Sequence, residues 1–214
     1  MKFLMSILKK AEERVTVALS SGIDSIAVAH FLKTKYPKIS LHCFHYNHNL
    51  RFQNNLMELS TRQFCSDFNI PLTVKNRERT SGNSEAELRT LRYSAMAGLG
   101  TVVTGHHLDD AVESYLYNCF NGVPEYLPIP LETVYSEFEL KIIRPFIISE
   151  KSEFLEYIKQ NSLEKYVVED ETNKDEKYRR NWLRYNLIPQ IHDKGYNLKT
   201  IVRKKYLEYN KKGR

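Results

Sequence analysis

At 214 residues, with 42% apolar and 27% charged side chains, the chain is long enough to bury a core and is neither disordered nor disulfide-rich in composition. A formal net charge of +6, from 32 Lys and Arg against 26 Asp and Glu, favours an anionic partner such as a nucleotide or RNA. The three cysteines, Cys43, Cys65 and Cys119, are far apart with no CxxC pair, which argues against a zinc ribbon, an iron–sulfur site or a disulfide framework and fits a reducing cytoplasm.

The opening MKFLMSILKKAEERV has one short apolar segment before charges resume and no small-residue cleavage site, so an amphipathic first helix is expected and a leader is not. No apolar run is long enough to cross a bilayer, and no membrane partner is expected. Residues 14–19 (RVTVAL) are β-branched and apolar, and the turn at 20–24 delivers Ile26, Ala27, Ala29, His30 and Phe31 at helical spacing: strand, tight turn, helix. A second unit follows in the strand 39–46 (ISLHCFHY) and a helix over 51–68, where Phe52, Leu56, Leu59, Gln63, Phe64 and Phe68 fall near one stripe. Residues 71–76 predict a short strand, 84–99 a helix capped by Asn83 or Ser84, 101–105 a strand and 108–120 a helix. The proline-rich VPEYLPIP at 123–130 predicts a loop over the active edge or a hinge. A strand at 140–146 and a helix at 150–161 complete the domain. Segment 167–191 runs from acidic to basic, and the chain ends in a basic helix.

Strands alternating with helices predict an α/β fold: a doubly wound, mainly parallel sheet of about five strands in a domain over 1–161, with a short basic helical extension over 162–214. In such sheets ligands bind beyond the carboxyl ends of the strands, where the turns at 20–25, 46–51 and 105–110 would meet.

Three constellations carry chemistry. In SSGIDS, residues 20–25, a turn from strand into helix aims backbone N–H groups and the helix dipole at one spot, where a phosphate would be stabilised. Ser20, Ser21 and Ser25 add hydroxyls, Gly22 permits close approach, and Asp24 could sit beside Mg²⁺. Locally, a plain Ser/Asp helix cap explains the stretch as well. The Walker A pattern is absent, and Gly98-Leu99-Gly100 precedes a strand instead of following one. In TGHHLDDAVES, Asp110 and Glu113 are three apart on a helix and share a face, a pair able to hold an ammonium, take its proton or bind metal. The bland alternative is that the aspartates favour a helix N-terminus and His107 is a solvated turn residue. The third set is basic or polar: Asn47, His48, Arg51, Arg89, Arg92, Arg179, Arg180, Asn181 and Arg184, with arginine forks suited to phosphate.

Together these residues resemble the catalytic domain of the tRNA(Ile)-lysidine synthetases, members of the PP-loop ATP pyrophosphatase superfamily with an adenine nucleotide alpha-hydrolase-like fold. SSGIDS resembles the family's SGGxDS loop, YNHNLR its (D/N)HGLR, SEAELRTLRY its EAxARxxRY, and GHHLDDAVES its GHHLDDQxET. Downstream, IIRP is similar to a recurring RPL segment and residues 169–191 to DxSNxxxxYxRNxIRxxxIPxL. The match spans about residues 14–191. Three positions depart from it. Ser21 stands for the loop's first glycine, at a cost of about 1–2 kcal/mol if that position needs a left-handed backbone. Asn49 replaces a glycine and tolerates that region. Ala111 replaces a glutamine.

The resemblance implies an ATP-dependent ligase with Mg²⁺ that joins free L-lysine to the wobble cytidine of a CAU-anticodon tRNA(Ile). It implies that Ser20, Ser21, Gly22, Ile23, Asp24 and Ser25 hold ATP, that Asp24 also places the metal, and that Asp110 and Glu113 bind lysine. Arg89 and His106 act with Asp24 and Asp110 in catalysis, and His48, Arg51, Arg179, Arg180, Asn181 and Arg184 hold the tRNA. A thiolase of the same superfamily would be expected to use cysteine pairs, and a weakened tRNA-binding homologue is the other alternative. The oligomeric state is left open, a homodimer included.

Overall fold

The computed structural model describes residues 1–2, 14–77, 85–123, 126–169, 177 and 179–212. The expected first helix and the caps Asn83 and Ser84 lie outside them. Six strands form one sheet in the order β3-β2-β1-β4-β6-β5: β1 (Arg14–Ala18), β2 (Ser40–Asn47), β3 (Leu72–Asn76), β4 (Gly100–Val103), β5 (Glu132–Tyr135) and β6 (Leu140–Ile143). All neighbours run parallel except β5 and β6. The helices between them are α1 (Ile23–Lys35), α2 (Phe52–Asp67), α3 (Glu85–Ala95), α4 (Leu108–Phe120) and α5 (Lys151–Gln160). Beyond α5 come α6 (Arg179–Trp182), a π turn (Leu183–Leu187), α7 (Ile188–Asp193) and α8 (Leu198–Lys212).

The sheet has one strand more than expected, the antiparallel edge strand β5, which pairs Glu132 with Ile143 and Tyr135 with Leu140. The third helix stops at Ala95, short of the expected 99, because Gly98 and Gly100 take left-handed φ of 75° and 66° and turn the chain into β4.

Burial follows the layers. β1 is enclosed on both faces, with Val15 and Val17 at 0% exposure on one and Thr16 at 2% on the other, and α1 buries Ile26 to Ala29 entirely between the sheet and α5. The expected stripe on α2 divides in two. Thr61, Phe64 and Cys65 face the core, whereas Phe52 (74% exposed), Leu56 and Leu59 (63%) face solvent. The apolar residues at 52, 56 and 59 share a helical face of their own, about half a turn from the buried one.

The C-terminal helix is fastened to the main body. Val202 and Tyr206 of α8 are buried to 0%. The Tyr206 hydroxyl donates to the Ile129 carbonyl at 2.8 Å and accepts from the Ile129 N–H at 3.1 Å, fixing the proline-rich loop. Lys199 pairs with Asp109 at 2.7 Å and Glu150 at 3.2 Å, and Arg203 with Glu150 at 2.6 Å. α8 therefore braces the N-termini of α4 and α5, which open on the carboxyl edge of the sheet.

Candidate active site

The turn after β1 places residues 20–25 at that edge. Gly22 is the N-cap of α1 with φ −75° and ψ 154°, and no side chain caps the helix. The Ser/Asp cap reading therefore gives way to a bare helix start. The first intrahelical bond runs from the Ile26 N–H to the Gly22 carbonyl at 3.1 Å, so the N–H groups of Ile23, Asp24 and Ser25 precede it. Ser25 Oγ is buried and spent inside the loop, donating to the Gly22 carbonyl (3.0 Å) and accepting from the Ser20 N–H (3.1 Å). Ser20 is exposed.

Ser21 does adopt the left-handed backbone, at φ 56°. Its hydroxyl points away from the loop mouth into α2, where it donates to the Met57 carbonyl at 2.7 Å and meets Thr61 Oγ1 at 2.8 Å. Its carbonyl accepts from the Val168 N–H at 3.0 Å. Of the three hydroxyls in the turn, Ser20 alone is exposed toward solvent, and the loop's capacity for phosphate rests chiefly on backbone N–H groups. Asn49 also takes the left-handed region, at φ 51°, its N–H received by Asn47 Oδ1 at 2.7 Å.

Gly105, just beyond β4, packs against the turn. A Cβ at that position would stand 3.0 Å from Asp24 Cβ and 3.1 Å from its carbonyl carbon. The approach sets Asp24 beside the start of α4. There His107 is a buried N-cap, 3% exposed, and the solvated-turn reading is overturned. Its N–H donates to Asp110 Oδ2 at 2.9 Å, and Asp110 N–H returns to Nδ1 at 3.4 Å. His107 Nε2 lies 3.7 Å from Asp24.

Asp24, Asp109, Asp110 and Glu113 thus gather at one edge, and each meets a cation from the C-terminal half of the chain. Lys151 Nζ donates to both Asp24 oxygens at 2.7 and 2.8 Å. Lys199 holds Asp109, and Arg184 forks onto Glu113 at 2.5 and 3.0 Å while lying 3.8 Å from Asp110. Burial pushes the Asp110 carboxyl up against the pull of His107, and burial pushes Glu113 up against the pull of Arg184. Burial opposes the charge of Arg184, but Glu113 and Asp110 raise its pKa overall.

His106 bonds through Nδ1 to Thr104 Oγ1 at 2.8 Å. Desolvation first, then the charges of Arg144, Arg92, His107 and Arg89, push its pKa down to about 3, so at neutral pH it is an uncharged hydrogen-bonding group. Arg89 is exposed and stacks at 5.0 Å over Tyr93 on the same helix. Arg144, from the IIRP segment, is buried and ties the end of the proline-rich loop through Pro130 O (2.8 Å) and β5 through Thr133 Oγ1 (2.9 Å). Arg51, Arg179 and Arg180 are exposed, His48 is half-buried and Asn181 buried. Trp182 and Tyr185, 46% and 45% exposed beside these arginines, offer ring faces. Ala111 is 0% exposed in the core, so the position that departs from the glutamine pattern serves packing here.

Among the described residues no group of three His, Cys, Asp or Glu side chains is arranged to hold a metal. Asp24 suits Mg²⁺ as a single carboxylate completed by phosphate oxygens and water, provided the Lys151 ammonium moves aside. No helix among the described residues is long and apolar enough to cross a membrane.

A strand, a bare helix-opening turn and a neighbouring acidic helix start at the carboxyl edge of a parallel sheet define a nucleotide-binding domain of the PP-loop class. The chain belongs to that family: the PP-loop domain model matches residues 1–191. It is 33% identical over 200 residues to a tRNA(Ile)-lysidine synthase of Staphylococcus epidermidis, covering 86% of this chain and 45% of that one. It is 30% identical over 204 residues to that of Thermotoga maritima, covering 89% and 48%. The chain therefore spans less than half the length of these relatives. In structure it is similar to the U34-tRNA thiolase NcsA from Methanococcus maripaludis, with TM-score 0.70, 16% identity and coverage of 92% and 72%, a likeness of fold.

Proposed function

We propose that the chain ligates lysine to C2 of the wobble cytidine of a CAU-anticodon tRNA(Ile), through an adenylated cytidine, giving lysidine and changing the codon read from AUG to AUA. The observation that carries this reading is the juxtaposition, at one sheet edge, of a phosphate-receptive turn with the half-buried Asp110 and the buried Glu113. The relatives named tRNA(Ile)-lysidine synthase support the choice of reaction.

In the first step cytosine O2 attacks the α-phosphate of ATP and pyrophosphate leaves. The N–H groups opening α1 receive the charge that develops on it. Magnesium at Asp24 would offset part of that charge. Neutral His106 donates a hydrogen bond to a phosphate oxygen, and Arg89, from α3, supplies a cation. In the second step the lysine ε-amine attacks C2 and AMP departs. Free lysine has a pKa of about 10.4, so the ammonium must first lose a proton. Asp110, its carboxyl raised by burial, is the better matched base, while Glu113 helps hold the ammonium. Arg179, Arg180 and Asn181, with His48 and Arg51, grip the anticodon backbone, and a single-stranded base enters the site without melting a duplex. On this reading residues 162–214 complete the site rather than form a separate domain.

Purified protein, ATP, Mg²⁺, labelled lysine and a CAU-anticodon tRNA test the reading directly. Label enters the tRNA with release of AMP and pyrophosphate. Bound ATP without any label in the tRNA rejects the ligase in favour of a tRNA-binding homologue.

A further inference from the structure

Lys151 is an odd residue for its place. It occupies the first turn of α5, where the helix dipole disfavours a cation. Its backbone N–H is committed to Asp109 Oδ2 at 2.8 Å, which fixes the root of the side chain. The ammonium then bridges to α1 and sits across both oxygens of Asp24, at 2.7 and 2.8 Å, with its side chain 35% exposed. Asp24 lies in the first turn of the helix whose N–H groups face the phosphate-receptive turn. The cation is therefore at the mouth of that turn, partly open to solvent and held by one carboxylate.

The charges around it give that position a use. Lys199 is shared by Asp109 and Glu150, Arg203 is on Glu150, and Arg184 is on Glu113 and near Asp110. A triphosphate arriving at residues 20–25 meets the Asp24 carboxylate, and Lys151 is the cation already on it. A lysine is a compact charge on a flexible stem, able to turn from one oxyanion to another while its backbone stays fixed.

We propose that Lys151 is a pyrophosphate-binding residue of the ATP site: its ammonium neutralises Asp24 before nucleotide binds, then turns to the β- and γ-phosphate oxygens, leaving the Asp24 carboxylate to a divalent cation. The exchange replaces one charge-assisted pair by another and exposes Asp24 only when phosphate is present. The inference rests on residues 20–25 being an ATP site and adds a residue to it.

Calorimetric titration of the full chain with ATP, in EDTA and again with Mg²⁺, tests it without turnover. In EDTA, Lys151→Met weakens ATP binding by about 10- to 100-fold, the range of a hydrogen bond to a charged group, and Lys151→Arg keeps most of the affinity. Asp24→Asn has the opposite effect: with the competing carboxylate gone, ATP binds more tightly than to wild type in EDTA. A Lys151–Asp24 pair that merely braces α1 against α5 predicts lower melting temperatures for both variants and no opposed shifts in ATP affinity. Folded Lys151→Met with wild-type affinity overturns the proposal. Should that variant fail to fold, Asp24→Asn without tighter binding overturns it equally. A wild-type chain that binds no ATP in either buffer instead rejects the nucleotide site itself.

Discussion

Ser21 Oγ and Thr61 Oγ1 lie 2.8 Å apart in a fully buried contact that anchors the turn after β1 to α2. A serine thus occupies a left-handed position by exchanging backbone strain for two hydrogen bonds, to Thr61 and to the Met57 carbonyl. Ser21→Gly removes both bonds, about 1 kcal/mol each, but also the strain of about 1–2 kcal/mol, so its stability stays within about 1 kcal/mol of wild type. Ser21→Ala loses the bonds and keeps the strain, and is destabilised by about 2 kcal/mol. Urea unfolding of the pair measures the order. Equal losses in the two variants would remove strain from the account. The same logic predicts that Ser21→Gly does not speed adenylation, since the serine already holds the loop.

Gly105 meets Asp24 so closely that a methyl group there would press on its Cβ at 3.0 Å and on its backbone at 3.1 and 3.2 Å. Gly105→Ala should cost about 1–3 kcal/mol of stability by overpacking and should weaken ATP binding by shifting the first turn of α1. Its φ is not left-handed, so the whole effect is steric. Wild-type ATP affinity in a folded Gly105→Ala protein would show that the turn tolerates displacement.

Five of the six strands announce themselves as β-branched apolar runs punctuated by turns. β5 does not, because Glu132–Tyr135 is a four-residue edge with no buried alternation. On α2 the period is legible but the facing is not: apolar residues occupy two stripes, and only the sheet decides that Phe64 goes in and Phe52 stays out. The site divides similarly. Its carboxylates and its turn sit in short contiguous motifs, whereas their cations arrive from 71 to 127 residues away, as Arg184 does on reaching Glu113 and Lys151 on reaching Asp24. Nothing local marks Lys151, Lys199 or Thr61, and His107 is marked only if the reciprocal bonds to Asp110 are foreseen.

His106 makes folding sensitive to acid. Its folded pKa, about 3, lies below the ordinary 6.5, so on acidification the unfolded chain takes the proton first. Its contribution is whole above about pH 6.5 and is lost as pH falls toward 3. His106→Asn cannot titrate, and its urea midpoint should fall less steeply than wild type across that window. Parallel pH profiles for the two proteins would place the acid sensitivity elsewhere, in His30, His42 or His45, whose pKa values burial also lowers.

Arg184 occupies the carboxylates that the proposed reaction needs for the lysine ammonium. The Arg184 side chain is 37% exposed while that of Glu113 is 5% exposed, so removing the arginine strands a largely buried carboxylate. Arg184→Met should therefore lose about 1–3 kcal/mol, the lower end reflecting solvent at the guanidinium. Free lysine offers a replacement cation of the same sign and reach. Millimolar lysine should raise the melting temperature of Arg184→Met more than that of wild type, and norleucine, which lacks the ammonium, should raise neither. In the reaction, Glu113→Ala should raise the KM for lysine more than the KM for ATP. A lysine-independent melt together with an unaltered lysine KM would move the ammonium site away from Asp110 and Glu113, because both measurements read the same cation vacancy, one in the resting protein and one in turnover.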